Sequence, residues 1–311
     1  MIYSSLNPLT LNNPEQVIEI VAKKNHSVVA VSKIKYALYL ANYGNVFAYA
    51  SNLAKLGEIA ENMGWDGFFL WDHMHPFRNS TRPVGDPWIG LSAVAISTER
   101  IRLGTTVTPI PRRYPWKVAR ETVSLDQLSM GRFMLGVGLG DPTDLEYGAF
   151  GQETRAKKRG DMLDEGLEII QGLWNGEQFS FEGEYYNLDQ VRFLPRPVQT
   201  PRIPIWAGCT WPNKRPFVRA AKLDGIIPLR TGFSKPLTPE DYRDIIAFVE
   251  KYRESDEPFD VACIGWTGNT DERAEIVQEY EEAGATWWLE WMDDEATFEE
   301  VKTAIEKGPP K

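Results

Sequence analysis

The chain has 311 residues, 42% hydrophobic and 25% charged, a size and make-up compatible with one α/β barrel of roughly 250 residues. Its formal net charge of -10, from 44 acidic and 34 basic side chains, comes without any long basic run, so neither nucleic acid nor an anionic membrane is an expected partner. Cys209 and Cys263 are the only cysteines; they fit neither a secreted disulfide framework nor a zinc spacing. No apolar run reaches the ~18 residues of a membrane helix and no secretory signal is visible, so a cytoplasmic protein is expected.

Residues 1–33 differ from the rest: they carry Asn7, Asn12 and Asn13 and one short helical candidate from Pro14. They read as an appended, dispensable extension, with the domain itself over 34–311. From Ile34 the chain alternates short apolar runs with amphipathic stretches. Strands are expected at 34–41, 67–71, 101–107, 132–138, 203–207, 224–228, 259–264 and 286–290. Most are apolar at consecutive positions, as in parallel strands buried on both faces.

Helices are expected between them. Over 47–63, Leu53, Leu56, Ala60 and Met63 mark one face and Gly64 a left-handed stop. A second follows at 85–97. A third at 115–129 opens on Pro115, harmless in a first turn, and a fourth at 155–174 buries Leu163, Leu167, Ile170 and Trp174. After 213–223 comes 238–254, with Thr238 as N-cap, Pro239 first and Asp241 in the first turn. The last two lie at 271–283 and 294–306. Strict strand–helix alternation points to a closed (β/α)8 TIM barrel. The alternative, an open dinucleotide-binding sheet, lacks its glycine fingerprint after the first strand, where 41–46 read Ala-Asn-Tyr-Gly-Asn-Val. One interval, 175–202, breaks the spacing. Phe179, Phe181, Tyr185 and Tyr186 around Gly183, then Pro195, Pro197 and Pro201, indicate a hairpin and an extended return inserted before strand five. It is either a cover over one end of the barrel or a plain structural insertion.

Barrel chemistry belongs at the C-terminal strand ends. Those ends carry Asn42, Trp71-Asp72-His73, Thr106-Val107-Thr108-Pro109, Gly138-Leu139-Gly140-Asp141, Ala207-Gly208-Cys209-Thr210, Arg230, Trp266 and Glu290. His73 and His75 suggest a metal-dependent hydrolase, yet His26 is the only other histidine and no second ligand cluster is visible. His73 is otherwise a satisfied structural histidine, or an acid/base group toward a bound ring. The glycines at 136, 138 and 140 are a weak phosphate-loop signal and equally let a flat ligand approach the backbone. Lys214 and Arg215 either aid a phosphate at a helix start or face solvent, and Arg112 and Arg113 either hold an anionic tail or face water.

Several of these segments together resemble the luciferase-like monooxygenase family: Trp71-Asp72-His73, Arg100 to Pro109, Leu125-Asp126-Gln127-Leu128-Ser129-Met130-Gly131-Arg132, Leu135 to Gly140, Leu173 to Gly176, Phe181 to Tyr186 and Pro204-Ile205-Trp206-Ala207-Gly208. The likeness runs in order from about Ile34 to the C-terminus. It implies a barrel with an insertion before strand five and an oxidoreductase acting on a small organic molecule, with no metal. It implies coenzyme F420 for hydride transfer or reduced FMN for monooxygenation, and homodimers are common among members. It implies a non-prolyl cis peptide at Thr106–Val107 behind the ring. Trp71, Asp72, Thr106, Val107, Gly138 and Gly140 are then expected against the cofactor. Gly208, Cys209 and Thr210 would form its phosphate loop, although a second glycine is usual where Cys209 stands. His73 matches a ring-side acid/base histidine of the deazaflavin branch. Asp141 falls where that branch has a catalytic glutamate, a departure by one methylene. A catalytically inactive flavin-binding protein is the non-enzymatic alternative.

Overall fold

The computed structural model describes residues 33–232, 235–268 and 270–311. The expected extension, with its Pro14 helix and His26, lies outside the described residues apart from Lys33.

Eight parallel strands close on themselves: β1 (Lys35–Leu40), β2 (Gly67–Leu70), β3 (Arg102–Thr105), β4 (Phe133–Gly138), β5 (Ile205–Trp211), β6 (Gly225–Arg230), β7 (Asp260–Gly265) and β8 (Trp287–Trp291). β8 pairs back onto β1, with Tyr39 opposite Trp291, and a two-residue strand Thr108–Pro109 adds to β4. Between them run α1 (Ala50–Asn62), α2 (Pro87–Ser97), α3 (Pro115–Leu128), α4 (Ala156–Trp174), α5 (Lys214–Ala220), α6 (Pro239–Glu250), α7 (Arg273–Glu282) and α8 (Phe298–Glu306). This is the expected barrel, not the open sheet.

Strand alternation sorts the apolar residues into two cores. Ala37, Tyr39, Phe69, Met134, Trp206, Ile227, Ala262, Trp287 and Leu289 fill the barrel, while the other core lies between strands and helices. Phe69, Trp206 and Trp287 meet in edge-on and tilted pairs with ring centroids 5.5–5.6 Å apart and plug the interior, as side-chain layers do in such barrels. The plug needs space nearby: a Cβ on Gly225 would lie 2.7 Å from the Trp206 ring.

Local rules set most boundaries. Asp86 caps α2 by accepting from Trp88 and Ile89 N–H, with Pro87 in the first turn. Thr238 and Asp241 form a reciprocal capping box on α6, as expected. α8 starts at Phe298, not 294, because Thr297 and Glu300 form the same device there. β5 and β6 run longer than expected and stay paired from Trp206–Gly225 to Trp211–Arg230.

The insertion is an antiparallel hairpin, Phe179–Glu182 with Asn187–Val191. Glu165 on α4 accepts three successive backbone N–H groups from Glu184, Tyr185 and Tyr186. Asp126 on α3 accepts from Val198 and Gln199. The insertion is therefore stapled to α3 and α4. Arg132 is a second staple: its guanidinium donates to the carbonyls of Ala95, Thr98, Ile101 and Ser129, satisfying orphan groups at the ends of α2 and α3.

Candidate functional site

At the C-terminal mouth, the loops after β1, β2 and β4 converge on His73. Asn42, 1% exposed, follows β1 and grips the histidine backbone from both sides. Its Nδ2 donates to the His73 carbonyl at 2.8 Å and the Gly85 carbonyl at 2.7 Å, while Oδ1 accepts His73 N–H at 3.0 Å. The imidazole side chain remains 22% exposed, with Nδ1 3.1 Å from Glu146 Oε1.

Glu146 ends a short helix, Thr143–Glu146, after β4. Its buried carboxylate also accepts the Met74 and His75 N–H groups, each at 3.1 Å, and pairs with Arg112. Burial alone would raise this carboxyl's pKa; the His73 hydrogen bond, the Arg112 charge and the Met74 N–H outweigh burial and hold it below its ordinary value. An ionised carboxylate only accepts. His73 Nδ1 therefore carries the proton, and Nε2 is left with a lone pair while the ring is neutral.

Behind this pair, Arg112 donates to the Asp72 carbonyl at 2.8 Å and to Asp72 Oδ1 at 2.6 Å. Arg113 binds the same carboxylate at 2.8 and 2.9 Å, and Trp88 Nε1 donates to it at 3.3 Å. Burial works against the Arg113 charge, but Asp72 outweighs it and raises the guanidinium above its ordinary value. Arg112 is buried and Arg113 is only 18% exposed, and neither is left free for an anionic tail. Both are spent on Asp72 and Glu146, and the Asp72 side chain is correspondingly turned away from the mouth.

The remaining expected residues separate. Thr106–Val107 is a non-prolyl cis peptide, and Val107 joins the inward-facing cluster with Trp71, Ile264 and Trp291. A Cβ on Gly138 would come within 2.5 Å of Val107 Cγ2, and one on Gly208 within 3.0 Å of Cγ1. The two glycines thus cradle Val107 as a smooth apolar floor. Gly140 has φ +74°, a turn that glycine takes without strain. Cys209 faces the outer core on the opposite side of β5 from Trp206 and Gly208, and its thiol donates to the Ala207 carbonyl at 3.5 Å. Burial raises its pKa. Only its backbone is at the mouth. Thr210 accepts from Asn213 Nδ2 at 3.1 Å, Arg215 pairs with Asp161, and Lys214 lies over the Trp211 ring, 3.3 Å from its centroid. Asp141 is exposed; the carboxylate that meets His73 is Glu146, which sequence reasoning passed over. Its signal was an acid between two apolar residues, Leu145 and Tyr147, all three buried in an otherwise polar loop.

Aromatic rings wall the space beside His73. Tyr43 and Trp71 each lie 5.8 Å from the imidazole, Tyr39 is 5.2 Å from Trp71, and Phe77 is 4.8 Å from Tyr43. Burial, with Asp294 adding and Arg82 opposing, pushes the Tyr43 phenol up to about 12. Among the described residues, no group of three or more His, Cys, Asp or Glu side chains is placed to hold a metal ion, and no helix is long and apolar enough to cross a membrane.

The sequence profile of the luciferase-like monooxygenase family matches residues 30–308. The chain belongs to that family. It is 37% identical over 166 residues to an F420-dependent glucose-6-phosphate dehydrogenase of Nakamurella multipartita, covering 52% of this chain and 47% of the relative. It is 34% identical over 157 residues to an F420-dependent hydroxymycolic acid dehydrogenase of Mycobacterium tuberculosis, covering 50% and 43%. The chain thus spans about half the length of these curated relatives. An F420-dependent secondary alcohol dehydrogenase solved with an F420-acetone adduct shares the fold, with TM-score 0.74 and 16% identity over 89% of this chain and 98% of that one.

In this luciferase-like chain the site fits a planar tricyclic ring. Val107 in its glycine cradle offers an apolar floor, and Tyr39, Trp71 and Trp291 offer neutral aromatic sides. His73 is the polar group standing at the edge.

Proposed function

We propose that the chain is an oxidoreductase that uses coenzyme F420 to move a hydride between the cofactor ring and a small organic alcohol or carbonyl compound. The observation that carries this is the His73–Glu146 pair, fixed at 3.1 Å beside the apolar floor. When bound, the deazaflavin supplies a carbon centre that takes up or gives back a hydride. The protein holds and shields that ring and handles one proton.

Val107, Gly138 and Gly208 would lie against the ring face, with Trp71 and Tyr39 at its side. His73 Nε2 would take the hydroxyl proton as the alcohol carbon loses its hydride and the carbonyl forms. Glu146 steadies the imidazolium through Nδ1–H, and Arg112 keeps Glu146 ionised. Asn42 fixes the histidine backbone so that Nε2 stays aimed at the mouth. Cofactor names among the relatives, F420-dependent in both cases quoted, support this reading over monooxygenation with reduced FMN. We also propose that the protein works in the cytoplasm and that residues 1–33 are dispensable.

The test is a pair of titrations of purified protein with the oxidised deazaflavin and with oxidised FMN, followed by ring fluorescence, then turnover of His73→Ala. Micromolar binding of the deazaflavin with FMN excluded is expected. Preference for FMN would transfer the site to oxygen chemistry, and full turnover by His73→Ala would remove the histidine from the mechanism.

A further inference from the structure

The walls around His73 carry a charge pattern that speaks to the substrate. Three guanidinium groups lie in the shell of this site, and each is matched. Arg112 is held by Asp72 and Glu146, and Arg113 by Asp72. Arg82 is paired with Asp294 and has Glu295 at 3.9 Å. Three positive charges therefore meet four carboxylates, Asp72, Glu146, Asp294 and Glu295.

Arg82 is engaged on its faces as well. Its guanidinium carbon stands 5.1 Å from the centroid of Tyr43 and 4.8 Å from that of Phe77, so it buttresses the aromatic wall from behind. Backbone geometry fixes the clamp. Tyr43 bridges to Val84, Gly44 N–H donates to the Pro83 carbonyl, and a Cβ on Gly44 would lie 2.4 Å from the Asp294 carbonyl. The loops after β1, β2 and β8 are thus locked together around the Arg82–Asp294 pair. The rings nearest His73 are Tyr43 and Trp71, each 5.8 Å from the imidazole, with Tyr39 packed on Trp71 and Phe77 on Tyr43.

We infer that the substrate is an uncharged alcohol or ketone with an apolar or aromatic body, and that a phosphorylated substrate is rejected at this site. This rests on the oxidoreductase reading above. A phosphate beside the wall would meet no uncommitted guanidinium in the His73 shell, and to recruit Arg82 it would have to break the Asp294 pair and undo the loop clamp. Buried and half-buried carboxylates nearby would repel it. A neutral aromatic body instead gains apolar contact with the rings, while its hydroxyl meets His73 Nε2.

The test uses the F420-loaded protein and a matched pair of probes, 4-(1-hydroxyethyl)phenol and 4-(1-hydroxyethyl)phenyl phosphate. Affinity is read from quenching of intrinsic tryptophan fluorescence, and turnover from deazaflavin absorbance. The neutral probe should bind at least about tenfold more tightly than its phosphate ester. Asp294→Asn, which releases Arg82, should narrow that gap by raising affinity for the ester. Equal or tighter binding of the ester by the wild-type protein overturns the inference, as does failure of both probes to bind the loaded protein. An unchanged gap in Asp294→Asn overturns the role given to the Arg82 clamp. Failure of the protein to load with F420 is a separate result, and it strikes the oxidoreductase reading instead.

Discussion

The two halves of the barrel mouth are built differently. Over β1 to β4, the side chains of Asn42, Asp72, His73, Arg112 and Glu146 form one continuous set of hydrogen bonds, nearly all buried. Over β5 and β6, the ends carry separate local pairs: Arg230 binds Asp241 and Arg215 binds Asp161. A saturated buried network is costly to perturb because each member leaves a partner stranded, whereas independent surface pairs contribute little apiece. The proton chemistry proposed above would sit on this fixed first half of the mouth.

That contrast can be broken at several points. His73→Ala should cut turnover by about 10²–10⁴-fold with the thermal unfolding curve little changed, because Glu146 keeps Arg112 and the Met74 and His75 N–H groups as partners. Glu146→Ala should be the most damaging to stability, about 3–5 kcal/mol, since it leaves the Arg112 and Arg113 charges to share the single Asp72 carboxylate. Chemical denaturation measures that loss, and a loss under 1 kcal/mol would show that the network is not a unit. Asn42→Ala leaves the His73 N–H and two carbonyls without their partner and should cost about 1–3 kcal/mol, with a fall in kcat larger than any change in KM.

The pH dependence follows from the Glu146 carboxyl, held below its ordinary value in the folded chain. Its contribution to stability is complete above an unfolded value of about 4.3 and is lost as pH falls through the lower folded value. Glu146→Gln should therefore flatten the acid limb of a plot of Tm against pH, leaving the alkaline limb as it was. The smallest effect belongs to Asp141→Asn. This exposed residue makes no contact with His73 in the structure, so the change should stay within about 0.5 kcal/mol in stability and leave turnover nearly intact. A large loss would restore Asp141 as the acid and demote Glu146.

Much of the fold was legible in local sequence, because apolar runs and caps act over a few residues. The Thr238-Pro239-Asp241 start is a complete local instruction, and Gly64 marks the end of α1 with φ +82°. The family motif from Leu125 to Arg132 was legible as a resemblance, while its physical work, stapling the insertion through Asp126 and the helix ends through Arg132, appears only in three dimensions. β5 was cut short because Gly208 and Thr210 look like loop residues; pairing with β6 supplies what their side chains do not. Arg112 and Arg113, set between prolines, read from sequence as holders of an anionic tail or as residues facing water. Their partners are 34 to 41 residues away, a distance at which no local pattern operates. For the same reason His73 was visible and its partner Glu146 was not.

The central claim is that Glu146 holds the His73 proton on Nδ1 and leaves Nε2 to meet the substrate. A long-range proton–nitrogen correlation spectrum of nitrogen-15-labelled protein tests it most directly, at a pH where the imidazole is neutral. The chain has only 3 histidines, and His73→Ala identifies the relevant signals by their disappearance. A protonated Nδ1 and an unprotonated Nε2 are expected for His73, with that preference lost in Glu146→Gln. A His73 ring protonated on Nε2 in the wild-type protein would contradict it.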